Sequence, residues 1–559
     1  MLRSIFLRTI GVVAGCLTFA AVAADAPPAL LLHGGTIYTG NPSQPKVEAV
    51  LAVGGRIAYV GDQAGALMRT PKGARVVDLA GRTMFPGLTD SHAHLADIGE
   101  RELGFDLTGI ASVEAMKQRL AERAAVDRSP WVVGANWIES KWKPAVFPSR
   151  QDLDAVVRDR PVVLQRVDGH AVVVNSKALE VAGITRTTPD PEGGQILRDP
   201  ATGEPTGILV DNAMDLVWRQ VPPETDELLA RHLEAGAGSY VRLGWTEMQY
   251  AGTSWRAIDQ LCRLYAAGKV QLRVYAAIGG PGEDAEKLLA AGRDYKSCDP
   301  RLTVRTIKLF MDGALGSRGA ALDEPYSDSP GNRGLYVTPP EEILRIATAA
   351  LRRGIQVETH AIGDRGNRVA LDAYEAALKA VPTVDHRFRI EHVQVLDHAD
   401  VPRFAQLGVI PAMQAVHQTS DMYWAPTRLG YARTFGAYAW RSLLNTGVII
   451  PNGSDFPVER VNPLYSFHSA VSRQDDNSWP PGGWFPEQRM TRDEALKSMT
   501  IWAAFAGFQE QLTGSLTPGK YADFVILDQD IMTIPETSIL GTGVVATYIG
   551  GKAVFERKR

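Results

Sequence analysis

The chain has 559 residues, 45% of them apolar and 22% charged, with a formal net charge of −4, which is enough apolar material for a large packed core plus accessory domains. That balance argues against a nucleic-acid partner, whose binding surfaces are strongly basic, and three cysteines exclude a disulfide-dominated scaffold. Beyond the N-terminus no run approaches the ~20 apolar residues that span a bilayer, so no membrane span is expected.

Arg3 and Arg8 precede an apolar stretch from Ile10 to Val22 and the small-residue pattern Ala21-Val22-Ala23. Residues 1–23 therefore read as a cleaved secretory signal, which predicts an exported protein, periplasmic or secreted, whose mature end is Ala24 or Asp25. Losing two arginines moves the net charge from −4 to −6. Cys262 and Cys298 survive cleavage; export permits a bond between them, but their spacing does not establish one.

Short strands separated by turns fill the next segment, 24–84, at 30–38, 47–53, 56–60 and 76–79, with Gly54-Gly55 as a hairpin turn. The last segment, 511–559, matches it with strands at 522–527, 543–549 and 552–555, the last two joined by Gly550-Gly551. Both ends are expected to pair into one small composite β-sandwich domain enclosing the middle of the chain.

The middle, 85–455, opens on Phe85-Pro86-Gly87-Leu88-Thr89-Asp90-Ser91-His92-Ala93-His94. In a strand alternate side chains point the same way, so His92 and His94 can meet one ion from one side. Four more ligand-type residues each end a β-like run: Lys308 after 302–307, His360 after 354–359, His392 after 388–391 and Asp455 after 448–454. Metal-capable groups repeated at the carboxyl ends of strands are what a (β/α)8 TIM-type barrel displays on its active face. His94 and Lys308 are 214 residues apart, where three barrel units need roughly 90, so an insertion of about 120 residues is expected. Strand-like runs and Pro- and Gly-rich turns place its β-rich part at about 128–223. Strands two and three then fall at 244–250 and 271–278 and strand seven at 409–416, with a final barrel loop and helices over 456–510.

Together with Lys308-Leu309-Phe310-Met311-Asp312-Gly313-Ala314-Leu315-Gly316-Ser317-Arg318, Glu358-Thr359-His360-Ala361-Ile362-Gly363-Asp364, Ile390-Glu391-His392 and Gly453-Ser454-Asp455-Phe456-Pro457, the His92 motif resembles the amidohydrolase superfamily. Within it the chain is similar to the amidohydrolase 3 family, which includes N-substituted formamide deformylases. In the insertion, Asp168-Gly169-His170 and Asn175-Ser176-Lys177-Ala178-Leu179 also match that family's pattern.

The resemblance implies a metal-dependent hydrolase that attacks an amide-type C–N bond, N-acyl, N-formyl or cyclic, with a metal-activated water. One or two divalent ions per chain are expected, zinc foremost, because such an ion brings the pKa of bound water to about 7 and polarises a carbonyl. His92, His94 and Asp455 would hold one ion, and His360 and His392 the second. The resemblance further implies a Lys308 carboxylated by CO2 and bridging both; the alternative is a lysine in a strand-end ion pair. Asp455 is the expected proton shuttle, taking a proton from water and delivering it to the leaving nitrogen. His170 and His417 are candidates for binding the substrate carbonyl or its oxyanion, and Asp312 and Arg318 for orienting substrate, with ordinary structural roles open for all four. Aromatic residues in the presumed lids, Trp137, Trp142, Trp424, Tyr431, Trp479, Trp484 and Phe485, suggest a small-molecule substrate with an apolar portion. A deaminase or lactonase on the same core stays open, as do a non-catalytic ligand-binding protein of this fold and assembly into a homo-oligomer. A carboxylate-pair glycosidase would not need these histidines.

Overall fold

The structure, a computed structural model, describes residues 28–222 and 224–558, so the expected secretory signal lies outside the described residues. Seven parallel strands, Leu88–Ala93, Trp245–Thr253, Arg273–Gly279, Leu302–Phe310, Gln356–Ala361, Arg389–His392 and Ile410–Ala412, pair in chain order into a nearly closed barrel. Parallel neighbours need crossover connections, and amphipathic helices such as Trp255–Ala266, Pro340–Arg353 and Asp364–Ala380 supply them. Ser254 caps the first of these by accepting the Ala257 N–H, and Gly354 ends the second at φ +66, a left-handed geometry that side chains disfavour. Ile258, Leu261, Ile346, Leu371 and Tyr374 on these helices are fully buried in the main core.

The eighth chord of the barrel differs from the strand expected at 448–454. It fills the gap between the seventh and first strands but makes only an isolated parallel bridge, Met413 to Asn452, with Asn452 O accepting the Ser91 N–H at 3.4 Å and His92 O accepting the Asp455 N–H at 2.7 Å. Two local causes are visible. Pro451 has no N–H to give to a ladder, and Gly453 passes so close to His92 that a Cβ there would lie 2.6 Å from the His92 nitrogen. The seventh strand is also shorter than the expected 409–416: Asn452 Oδ1 accepts the Ala415 N–H at 3.0 Å, and the chain turns into the helix Ala415–Asp421, which carries His417.

The insertion forms its own five-stranded sheet of Val132–Trp137, Val162–Arg166, Ala171–Val174, Gly194–Arg198 and Pro205–Asp211. Its apolar core takes in Phe105, Leu107 and, from the helix Val113–Val126, Met116 and Leu120, so the packed unit starts well before residue 128.

Strands from both chain ends pair in one eight-stranded sheet, Thr83–Pro86 running antiparallel to Phe524–Leu527. Seven of these strands follow one hydrogen-bonded path and Arg75–Asp78 branches from it beside Ala29–Tyr38, the sheet wrapping around Leu32, Ile37, Val50, Met84, Phe524 and Tyr548. Arg273 of the barrel ties it down through Asp523 at 2.5 Å. Cys262 and Cys298 are joined as a disulfide. No helix among the described residues is long and apolar enough to cross a membrane.

Candidate metal centre

Four imidazoles, a lysine and an aspartate converge at the carboxyl end of the barrel because five of its chords end in these residues, and the helix after the seventh strand adds His417. The first strand delivers His92 and continues into His94, the fourth carries Lys308, the fifth His360, the sixth His392, and the eighth chord Asp455. Asp90 locks the first strand to the eighth chord: it accepts the Ser454 N–H at 2.9 Å, the Ser454 hydroxyl at 2.6 Å, the Tyr240 hydroxyl at 2.9 Å and the His92 N–H at 3.2 Å. Burial pushes its carboxyl up to about 6 despite those donors.

Asp455 sits at the centre. One oxygen is 3.1 Å from His94 Nε2 and 3.5 Å from His92 Nε2; the other is 3.1 Å from His417 Nε2 and 3.9 Å from His392 Nδ1. Against burial, which favours the acid, the bonds from His417 and His94 hold it well below the usual carboxylate range. Its φ of +53 and the +75 of His392 put two of these residues in the left-handed region, sparsely populated for residues other than glycine. The rings of His360 and His392 lie 4.4 Å apart, and His392 is 4.9 Å from His92. Burial, reinforced by neighbouring cationic groups, holds His92, His360 and His392 well below the usual imidazole range, in the neutral form that ligates metals. Lys308, 1% exposed, has its Nζ 3.4 Å from His92 Nε2, and burial lowers its ammonium toward the free amine although Glu391 and Glu358 oppose this.

Two groups of three hold their donor atoms within 4.8 Å of one another, His92/His94/Asp455 and His392/His417/Asp455. The residues present therefore fit a divalent ion: imidazole nitrogens and one carboxylate, convergent and largely buried. His417 is closer to this centre than its expected role as a carbonyl-binding residue requires. It is clamped between Asp455 and Glu459, whose Oε1 is 3.2 Å from Nδ1, and the two carboxylates push it up to about 10 against the effect of burial. So clamped, its ring is held against Asp455, and the same Nε2, once it has lost its proton, is the atom that would join His392 around an ion.

The supporting shell was not foreseen in the sequence. Glu391 Oε2 lies 2.6 Å from His92 Nδ1, and Arg389, completely buried, grips Glu391 from two residues away while also donating to Ser91 O. The signal was present, since charged residues at alternate positions of an apolar strand share one face. Gln414 Oε1, 2.8 Å from His392 Nδ1, orients that ring in the same way.

Above the centre lies a cavity of about 810 Å³, walled by the insertion on one side and by Phe310, Leu315 and Trp424 on the other. His170 lines it, its Nδ1 2.5 Å from Asp211 Oδ1. Asp312 and Arg318, expected to orient substrate, do not line it. Asp312 is fully buried with its oxygens taken by the N–H groups of Ala321, Ile362 and Gly363, so it is a knot tying the loops after the fourth and fifth strands. Arg318 donates twice to Asp328. Of the seven aromatic residues expected in lids, only Trp424 lines the cavity: Trp137 and Trp142 are packed inside the insertion, and Tyr431, edge-on, and Phe485, tilted, pack against Phe435.

A family model described as "Amidohydrolase family" matches residues 75–555. The chain is 35% identical over 552 residues to "Protein LONG AFTER FAR-RED 3" of Arabidopsis thaliana, covering 95% of this chain and 93% of that protein. It is 27% identical over 544 residues to "N-substituted formamide deformylase" of Arthrobacter pascens, covering 94% and 98%. A crystal structure described as an uncharacterized metal-dependent hydrolase from Pyrococcus horikoshii OT3 superposes with a TM-score of 0.73 at 28% identity, over 91% of this chain and 99% of that one.

Proposed function

The chain belongs to the amidohydrolase family, and on that premise we propose that it hydrolyses an amide-type C–N bond, N-formyl, N-acyl or cyclic, in a small molecule with an apolar portion. The observation that carries this reading is the convergence of His92, His94, Lys308, His360, His392 and Asp455 on one cavity floor. What favours an N-formyl or N-acyl bond over other linkages is the likeness to a protein named for deformylating N-substituted formamides. Phe310, Leu315, Ile138 and Trp424 offer the apolar wall, and the cavity falls within the roughly 300–1,000 Å³ of small-molecule sites.

His92, His94 and Asp455 would hold one divalent cation, zinc in our reading, and His360 and His392 a second, with Lys308 serving both; when bound, such an ion supplies Lewis acidity and water of lowered pKa. Asp455 accepts the proton of the attacking water on a carboxylate oxygen and returns it to the leaving nitrogen as the C–N bond breaks. His417 holds that carboxylate in place. Lys308, desolvated toward the free amine, would add through Nζ to CO2 with release of one proton, which would replace an ammonium by a carbamate anion beside the ligand histidines. Export is supported by the pattern at residues 1–23 and by the Cys262–Cys298 bond, which suits an oxidising compartment.

Elemental analysis coupled to a screen of N-formyl, N-acyl, cyclic amide and lactone substrates tests the reading. One to two zinc ions per chain, loss of turnover on chelation and release of an amine are expected. An active preparation without stoichiometric metal, or turnover of lactones alone, overturns it.

A further inference from the structure

The site depends on more than the barrel. His170 reaches it from the turn between the insertion strands Val162–Arg166 and Ala171–Val174, and Asp168 Oδ1 fixes that turn by accepting the His170 N–H at 3.1 Å. The ring lines the cavity floor beside His360, centroids 4.9 Å apart. Its two nitrogens are treated differently. Nδ1 is bonded to Asp211, whereas Nε2 has no hydrogen-bond partner among the described residues, and His170 is in neither group of convergent metal donors. With Nδ1 held by Asp211, Nε2 is the ring nitrogen left for a ligand in the cavity.

Asp211 is itself built in. It ends the strand Pro205–Asp211 at φ +48, is 5% exposed, and leaves its Oδ2 buried without a partner. That oxygen lies against the barrel loop after the fourth strand, where a Cβ on Gly313 or on Gly319 would come within 2.6 Å of it. A backbone in a disfavoured conformation, an unpaired buried carboxylate oxygen and two close-approach glycines all serve one result, a carboxylate against one edge of the His170 ring.

We propose that His170 is a catalytic residue supplied by the insertion and Asp211 its positioning residue: Nε2 of His170 donates a hydrogen bond to the scissile carbonyl oxygen as that oxygen gains negative charge. The assignment rests on the hydrolase reading above. The Asp211 carboxylate fixes the Nδ1 proton and balances the ring's positive charge while Nε2–H faces the oxyanion, a division of labour in which one ring edge is held and the other reacts. No bond to His170 is made or broken; its contribution is greater in the transition state than in the bound substrate, so it is expressed in kcat.

The test uses the zinc-loaded full chain with 4-nitroformanilide and 4-nitroacetanilide as chromogenic probes, and His170→Ala, His170→Gln and Asp211→Asn as variants. Expected are unchanged zinc content in all three, KM within a few-fold of wild type, and kcat lowered about 10²–10³-fold in His170→Ala. His170→Gln, which keeps an N–H donor near the Nε2 position, recovers part of that loss, and a downfield imidazole proton resonance present in wild type is absent from both His170→Ala and Asp211→Asn. Loss of zinc in His170→Ala makes the residue a ligand and overturns the assignment, as does a kcat equal to wild type. A zinc-loaded wild type that hydrolyses neither anilide nor any other amide removes the hydrolase reading and this assignment with it, whereas an active wild type matched by His170→Ala removes this assignment alone.

Discussion

Glu391 Oε2 stands 2.6 Å from Nδ1 of His92, so the ring's other nitrogen, Nε2, is the one turned toward Lys308 and Asp455. A carboxylate behind a ligating imidazole fixes its tautomer and raises its basicity, and loss of such a partner typically costs 10–100-fold in metal affinity. Glu391→Gln should therefore weaken zinc binding by about that factor, read by competition with a chromogenic chelator. Arg389 would keep only Glu358, 3.5 Å away, to balance its buried charge, so thermal stability must be measured beside affinity. An affinity equal to wild type would show that Glu391 serves only Arg389.

Lys308→Ala removes the anion expected between the two groups of ligands. Two like charges a few ångströms apart repel strongly without one. The variant should bind fewer metal ions and lose most turnover, and added bicarbonate should speed reconstitution of the wild-type apoenzyme but not of the variant. Full metal content together with wild-type turnover would leave Lys308 as a buried amine without a bridging role.

Glu247 gives the fold a pH dependence of its own. It is 3% exposed between the barrel floor and the composite sheet, and burial, with the charge of Asp523, pushes it from the ordinary 4.5 up to about 7 although Arg273 and Thr513 oppose this. The folded state thus keeps a proton that the unfolded chain has lost between those values. Stability should fall as pH rises from about 4.5 to about 7, by at most about 3 kcal/mol, and level off above. Glu247→Gln, compared with wild type by thermal melts at pH 5 and pH 8, should flatten that profile; superimposable profiles would refute the assignment.

The Cys262–Cys298 bond spans 36 residues and ties the helix Trp255–Ala266 to the loop before the fourth strand. In the chain-entropy account a loop of that length contributes about 4 kcal/mol. Reduction, or Cys262→Ser with Cys298→Ser, should lower the melting temperature while leaving zinc content intact. An unchanged melting temperature would mean that the bond constrains little in the unfolded chain.

The convergence of His92, Lys308, His360, His392 and Asp455 at one end of a barrel was legible because ligand-type residues punctuated apolar, strand-like runs at nearly regular intervals. Asp211 was not, because its strand lies in the insertion and nothing local marks which barrel loop it meets. The eighth chord was read as a strand from Val448, Ile449 and Ile450, whose β-propensity is real, but Pro451 and the approach of Gly453 to His92 decide otherwise. Asp312 misled for a related reason: a carboxylate close after a metal-capable lysine invites a substrate role, while three backbone N–H groups from distant loops had the stronger claim on it.

The antiparallel pairing of Thr83–Pro86 with Phe524–Leu527 sets the order in which the molecule can be completed. The first partner leaves the ribosome more than four hundred residues before the second, so during synthesis Thr83–Pro86 waits as an open sheet edge directly before the strand that delivers His92. Pairings so distant in sequence form slowly, and until they form such an edge can recruit another chain. Shortening the chain ahead of Phe524 should therefore produce aggregation during expression rather than a smaller folded enzyme, whereas extensions beyond Lys558, which is exposed, should be tolerated.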